Sequence, residues 1–261
     1  MVSRISCLLA AATLVVAASL VAQDKPARLT FEVASVKPSP PGGRGGGIRA
    51  QPGGQRYSAQ NVPVKLMISL MYKVPLRQIT GGPAWIESDL FDIEAKADHS
   101  YSLDDLHIMF QNLLADRFKL KFHKEYKEGA VYTLSLDKSG SKMKVNDSPE
   151  PFDFPIQGGK DGVTLGNHVS MQYFCWWLGQ VLQRDGRPVI DKTGLTGNYD
   201  FKLSFVPDLP PDFPKENLPP GFLDRPSLFD ALREQLGLRL QPGKGPVEYY
   251  VIDSAEKPSE N

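Results

Sequence analysis

The sequence predicts an α+β fold of two repeated lobes, each of split-βαβ type with antiparallel sheets and helices on one face. Three observations carry that expectation. Patterns in the first half recur in the same order in the second. Within each half, helical and alternating apolar periods follow one another. The 261 residues are 41% hydrophobic and 23% charged, an ordinary globular composition with room for two cores. Thirty basic and thirty acidic residues cancel, so no basic stripe argues for nucleic acid and none is expected as a partner.

Residues 1–22 begin with MVSR and continue as ISCLLAAATLVVAASLVA. A charged start, an apolar run and small residues near Ala22 predict a secretory signal peptide, and therefore an extracytoplasmic (periplasmic or secreted) mature chain. Cys175 is then the only cysteine left, so no internal disulfide is expected. Nothing downstream reaches 18 continuous apolar residues, so no transmembrane segment is expected in the mature chain.

Residues 23–53 predict a leading strand, FEVASVKP (31–38), and a glycine-rich stretch, PPGGRGGGIRAQPGG (40–54). The glycine spacing is neither GxGxxG nor GxxxxGK[ST], so a mobile loop is expected rather than a phosphate cradle.

The first lobe is expected over 54–150 and the second over 151–261. Residues 62–74 start with Pro63 and place Leu66, Met67, Leu70, Met71 and Val74 on one helix face. Residues 170–183 do the same with Met171, Phe174, Cys175, Leu178 and Leu182. LFDIEAKA (90–97) and NYDFKLSF (198–205) share one alternation and predict equivalent strands. Ser102 with Asp105, and Ser227 with Asp230, have helix-capping spacing, and Gly237 is a helix stop. Leu113 and Leu236 are expected in the cores. Leu120 and Phe122, then Tyr132, Leu134 and Leu136, predict two inward-facing strands, with KEGA (127–130) as a hairpin link. VEYYVIDS (247–254) answers VYTLSLDK (131–138). A ferredoxin-like or related order results in each half.

Residues 207–226 hold seven prolines where the first half has a short link. Loops this long inside compact domains are usually functional or disordered, and these prolines could present a polyproline-type partner site.

DKTGLTG (191–197) is two letters out of order from the loop in which ion pumps phosphorylate an aspartate. The further aspartate motifs of such pumps do not occur here, and export takes the chain away from ATP. Asp191 is therefore expected to be a turn residue. GGPAW (81–85) and DKTGLTG occupy equivalent places before the longest strand of each lobe, where glycines suit positive-φ turns. If a ligand surface exists, Gly81, Gly82, Trp85, Asp191, Lys192 and Thr193 are its candidates. Trp176 joins them, because it points about 100° away from Trp177 in a helix and so leaves the Phe174–Leu178 face. Inter-lobe packing is the favoured role for Trp176, with a ligand surface as the alternative.

Catalytic patterns are missing. No GxSxG elbow occurs, and His99, His107, His123 and His168 show no metal-ligand spacing. Cys175 lies among apolar neighbours, where a buried inert thiol is expected rather than a nucleophile. No catalytic residue, metal or cofactor is expected.

FEVASVKP, GGPAWIESDLFDIEAKA, LLADRFKLKFHKE, RPVIDKTGLTGNYDFKLSF and VIDSAEKPSEN together resemble the uncharacterised soil-associated family of secreted bacterial proteins. The likeness runs from about residue 30 to the end. It implies a domain of unknown function that in some longer relatives follows a membrane-embedded zinc metallopeptidase of the antibiotic-sensor type. No HExxH occurs in these 261 residues. The resemblance therefore implies an extracytoplasmic module but supplies neither a reaction nor catalytic residues. The expected function is a non-catalytic binding or sensor-like module of the bacterial envelope, with an envelope protein, peptide or glycan as partner. The alternative is an exported hydrolase with its site in the inter-lobe cleft.

Overall fold

The computed structural model describes residues 28–42, 45–51, 53–148, 154–159, 163–182, 185–209, 213–214, 218 and 221–259. The expected signal peptide lies outside the described residues, as does part of the proline-rich stretch. Among the described residues the fold is α+β, with twelve strands in three four-stranded, mostly antiparallel sheets and five α-helices.

The leading strand β1 (Val33–Pro38) pairs antiparallel with β5 (Leu90–Lys96), which pairs with β3 (Arg56–Pro63). The fourth strand of this sheet, β2 (Gly47–Ala50), corrects the expectation of a mobile loop over 40–54. One glycine just before it serves a close approach. A Cβ on Gly46 would stand 2.5 Å from the Asn61 carbonyl oxygen, so only glycine lets the chain pass.

After β3 come α1 (Val64–Met71), the short β4 (Ile79–Gly81) and α2 (Trp85–Ser88); α3 (Leu103–Arg117) follows β5. Pro63 is the N-cap of α1 rather than its first helical residue. That helix buries Val64, Met67, Ile68 and Met71, while Leu66 and Leu70 are only partly covered, so its inward face is rotated from the expected one. Ser102 caps α3 by accepting from the Asp105 amide at 3.1 Å.

The second half runs β9 (Thr164–Ser170), α4 (Met171–Val181), β10 (Val189–Asp191), β11 (Asn198–Leu203) and α5 (Leu228–Ala231). Short strands β7 (Lys144–Val145) and β8 (Ile156–Gly158) flank β11 and β9 in the third sheet. Ser227 caps α5 through the Asp230 amide, and the helix continues as a π-helical turn over Leu232–Leu236. It stops at Gly237, which holds φ 67° as expected of a helix terminator. The ends of the proline-rich stretch are tied where the Val206 amide donates to the Pro226 carbonyl at 3.0 Å.

The central sheet is where the structure departs most from expectation. No hairpin forms at KEGA. β6 (Lys121–Leu136) runs straight through it and pairs along its length with β12 (Leu238–Ser254). At about 3.3 Å per residue such strands reach about 50 Å, long enough to cross both cores. Gly129 is not a turn residue; a Cβ there would stand 2.9 Å from Val247 Cγ2, so it marks close packing across the ladder. β10 joins the outer edge of β6 in parallel, and β4 joins that of β12 in parallel. The strands of one half therefore do not close into one sheet.

Two hydrophobic cores result, and each draws on both halves. Tyr250 and Ile252, at the end of β12, pack with Met67, Phe110, Leu113 and Phe118 in the first. Tyr132 and Leu134, at the end of β6, pack with Phe174, Leu178, Leu232 and Leu236 in the second. Leu136 departs from its expected inward position and is 39% exposed.

Candidate functional site

The cavity that joins the two halves forms where α4, β10, the middle of β12 and the segment that follows α1 converge. Its volume is about 320 Å³, and its walls include Val74, Pro75, Gln78, Cys175, Trp176 and Gly179. β10 contributes Val189 to Asp191, and β12 contributes Pro246 to Glu248.

Each wall has a local cause. α1 ends at Tyr72, Lys73 takes φ 53°, and Ser69 Oγ donates to the Val74 carbonyl at 2.6 Å, which turns Val74 and Pro75 toward the second half. Pro75 then opens a single 3-10 turn over Leu76–Gln78. Gln78 is 4% exposed, and its Nε2 donates to the Glu248 carbonyl at 2.7 Å, tying the turn to β12. Its Oε1 is buried without a partner among the described residues. Across the cavity, Ser170 accepts from the Tyr173 amide and starts α4. Phe174, Cys175 and Leu178 on one side of that helix enter the second core, and Trp177 stacks on Phe174 with centroids 5.9 Å apart. Trp176 therefore turns to the junction, where its Nε1 is also buried without a partner among the described residues.

Charges around the cavity are already engaged. Lys73 contacts Asp104 at 2.7 Å and lies over the Tyr173 ring. Glu248 takes Lys124 at 3.0 Å and the Tyr126 hydroxyl at 2.6 Å. Asp191 Oδ1 accepts from the Thr193 amide at 2.8 Å and the Thr193 hydroxyl at 2.7 Å. Burial pushes the Cys175 thiol up to about 12, so it stays protonated and weakly nucleophilic.

Beside Lys73 lies a second polar contact between the halves, a pocket of about 50 Å³ lined by Asp104, His168, Tyr173 and Asn198. His168 Nε2 meets the Asn198 side-chain amide at 2.9 Å. Behind Asp104, the buried His107 meets the Tyr57 hydroxyl at 3.0 Å. Burial, assisted by the charge on Lys73, lowers His107 to about 4, against a weaker opposing pull from Asp104.

The structure divides the seven residues singled out in the sequence. Trp176 and Asp191 share the cavity. Lys192 and Thr193 follow Asp191 into the turn. The Lys192 amide donates to the Leu134 carbonyl, and Thr193 is buried. Gly81, Gly82 and Trp85 sit elsewhere, at the far end of β12, where Trp85 packs on Phe91 and Phe118. Gln78, Gly179 and Glu248 were missed. An isolated glycine inside a helical pattern is a signal for Gly179. Gln78 had none, because one 3-10 turn is too short to show a period. Among the described residues, no three His, Cys, Asp or Glu side chains cluster as a metal ion would need. No helix among them is long and apolar enough to cross a membrane.

Comparison with known proteins returns a family without an assigned reaction. No curated protein matches the chain, and no solved structure matches it. Residues 65–255, which span α1 to the end of β12 and include the whole cavity wall, match the family described as Protein of unknown function (DUF3738), and the chain belongs to that family.

Proposed function

We propose that this chain is an extracytoplasmic, non-catalytic binding or sensor-like module of the bacterial envelope, with its ligand held in the cavity between the segment that follows α1 and helix α4. One observation carries the reading: residues from both halves wall a cavity of about 320 Å³, the scale of a small-ligand pocket. The charged start and apolar run of residues 1–22 support export, with cleavage near Ala22. An exported hydrolase in the same cleft is the competing reading, and the cavity does hold Cys175, Asp191 and Glu248. The raised thiol and the engaged carboxylates favour binding over reaction.

One titration separates the two. Peptide and glycan fractions of an envelope extract are added to the mature protein while tryptophan fluorescence is followed. Binding predicts a saturable change with a compound that mass spectrometry recovers intact. Recovery of a cleaved compound, in proportion to protein and time, would establish the hydrolase instead.

A further inference from the structure

The cavity carries information about what fills it. Its charged neighbours already have partners: Lys73 has Asp104, and Glu248 has Lys124 and Tyr126. A ligand bearing a full charge would find no free counter-charge among these and would lose its hydration on entry. Two neutral groups are in the opposite condition. Gln78 Oε1 can only accept and Trp176 Nε1 can only donate, and both are buried with no partner among the described residues. The Gln78 orientation follows from the bond its Nε2 makes to the Glu248 carbonyl. Much of the remaining wall is apolar, with Val74, Pro75, Pro188, Val189, Pro246 and Val247.

Gly179 adds a second, independent observation. It sits inside α4, where glycine is less favourable than alanine, and it also faces the cavity. A Cβ built there meets nothing within 4 Å among the described residues. Neither packing nor backbone conformation asks for glycine at this position, so the space it leaves is spare volume in the cavity.

We propose that the site takes a neutral amide with an apolar substituent, its carbonyl accepting from Trp176 Nε1 and its N–H donating to Gln78 Oε1. This inference rests on the cavity being the binding site. A secondary amide carries one N–H donor and one carbonyl acceptor, the complement of one orphaned acceptor and one orphaned donor. A bare sugar ring presents hydroxyls on all sides, and the valine and proline walls would leave them unpaired. Both orphaned atoms lie out of solvent's reach, so pairing requires the Trp176 indole to turn and the Gln78 amide to pivot about its Nε2 bond to the Glu248 carbonyl, which it keeps. The amide could belong to a peptide backbone or to the acetamido group of an amino sugar, which would enter by its apolar methyl and leave its ring hydroxyls in water at the open mouth of the cavity.

The test uses four probes on the mature protein, read by ligand-observed NMR and tryptophan fluorescence. N-acetyl-L-valine N-methylamide represents a peptide and N-acetylglucosamine an amino sugar; zwitterionic valine and glucose are the controls. At least one amide is expected to bind and both controls to fail, and the amide that binds identifies the source. Gln78→Leu and Trp176→Phe should each weaken that amide about five-fold, the effect of one neutral hydrogen bond. Gly179→Leu should abolish binding by filling the cavity. If that variant does not fold, Gly179→Ala, which has room for its methyl, should weaken it. Binding lost on filling the cavity but insensitive to Gln78→Leu and Trp176→Phe overturns the amide and leaves the site standing. So does equal binding of valine or glucose. Amide binding unaffected by either Gly179 variant, or no binding by any probe, overturns both.

Discussion

The two halves solve the same structural problems with different chemistry. In each, a strand bulges at a residue with positive φ, Asn61 at 54° and His168 at 55°. In each, the bulged amide donates to an aspartate on the neighbouring strand, Asn61 to Asp92 at 2.8 Å and His168 to Asp200 at 2.9 Å. The side chains then diverge. Asn61 reaches out to the Gly45 carbonyl and anchors the glycine-rich segment, whereas His168 turns to Asn198 at the junction. The turn after the short parallel strand differs as well. In the first half it is closed by packing, with Gly82 against Ile252 and Trp85 on Phe118. In the second it is closed by hydrogen bonds from Thr193 to Asp191. Shared backbone geometry with unshared side-chain chemistry shows that these positions constrain conformation, and that each half then secures it locally.

The helix ends make the largest predicted difference. Lys119 and Gly237 both follow a helix and precede a long strand, with φ 49° and 67°. Lys119 shows that a side chain is tolerated in the first half. At Gly237 a Cβ would stand 1.9 Å from the Gly140 carbonyl oxygen, with backbone on both sides of the clash. Gly237→Ala should therefore cost at least ~3 kcal/mol, combining backbone strain with overpacking. Lys119→Gly should be neutral or stabilise by about 1 kcal/mol. Urea unfolding of the two variants measures both. Similar losses would mean the halves end their helices alike.

The buried side chain five residues after each capping serine is the next contrast. It is His107 in α3 and Leu232 in the second half. His107 has a normal value of 6.5 when unfolded and about 4 when folded, because burial and Lys73 disfavour its charged form. Between those values the unfolded chain binds the extra proton. Stability should thus be intact above pH 6.5 and fall on acidification, by about 3 kcal/mol once pH passes 4. Asp104, Lys73 and the Tyr57 hydroxyl face the ring. His107→Leu combined with Tyr57→Phe imitates the second half without leaving an orphaned hydroxyl. It should flatten the loss between pH 6.5 and 4. An unchanged slope would move the titration to another group.

Much of this was legible in the sequence where a periodic pattern met a capping residue. Ser102, Ser227 and Gly237 mark the helix ends they were expected to mark. The alternation in 90–97 and 198–205 gave β5 and β11. What misled was glycine, which serves turns and close approaches alike. Gly129 was read as a hairpin and is a spacer in a continuous ladder, and the 40–54 glycines hide a strand. The pairing of β4 with β12 and of β10 with β6 had no local signal, because three-residue strands take their partners from the fold. The cavity followed the same rule. Trp176 could be found by its angle on a helix, but Gln78 is placed by a bond to a residue far along the chain.

The two turns predict a graded pair of substitutions. Gly82 has φ 76°, and a Cβ there would stand 2.9 Å from Ile252 Cγ2 and 3.1 Å from Ile86 Cδ1. Gly194 has φ 70°, and a Cβ there would meet nothing within 4 Å among the described residues. Gly82→Ala meets both strain and crowding and should cost about 2–3 kcal/mol, whereas Gly194→Ala meets strain alone and should cost about 1 kcal/mol. Thermal unfolding of the pair reads the gap. Equal losses would make the two turns equivalent in packing.

The smallest effect belongs to Asp191, the residue whose surroundings resemble a pump's phosphorylation loop in sequence. Its Oδ1 accepts from the Thr193 amide and hydroxyl, and the Thr193 Oγ1 in turn accepts from the Leu195 amide at 3.1 Å. Aspartate and threonine thus each support the backbone two residues ahead, as turn-forming side chains do. An asparagine carbonyl can accept the same two bonds, so Asp191→Asn should cost ~1 kcal/mol or less. Asp191→Ala removes the acceptor and leaves the Thr193 amide unpaired, so it should cost more, about 1–3 kcal/mol. A phosphoacceptor would invert the importance of the two: Asn would abolish an acid-stable, hydroxylamine-labile phosphoryl label while the fold stayed intact. Incubation with labelled acetyl phosphate is expected to leave Asp191 unlabelled. Such a label, lost in Asp191→Asn, would show that the second turn, unlike its packed counterpart at Gly82, is chemistry rather than scaffold.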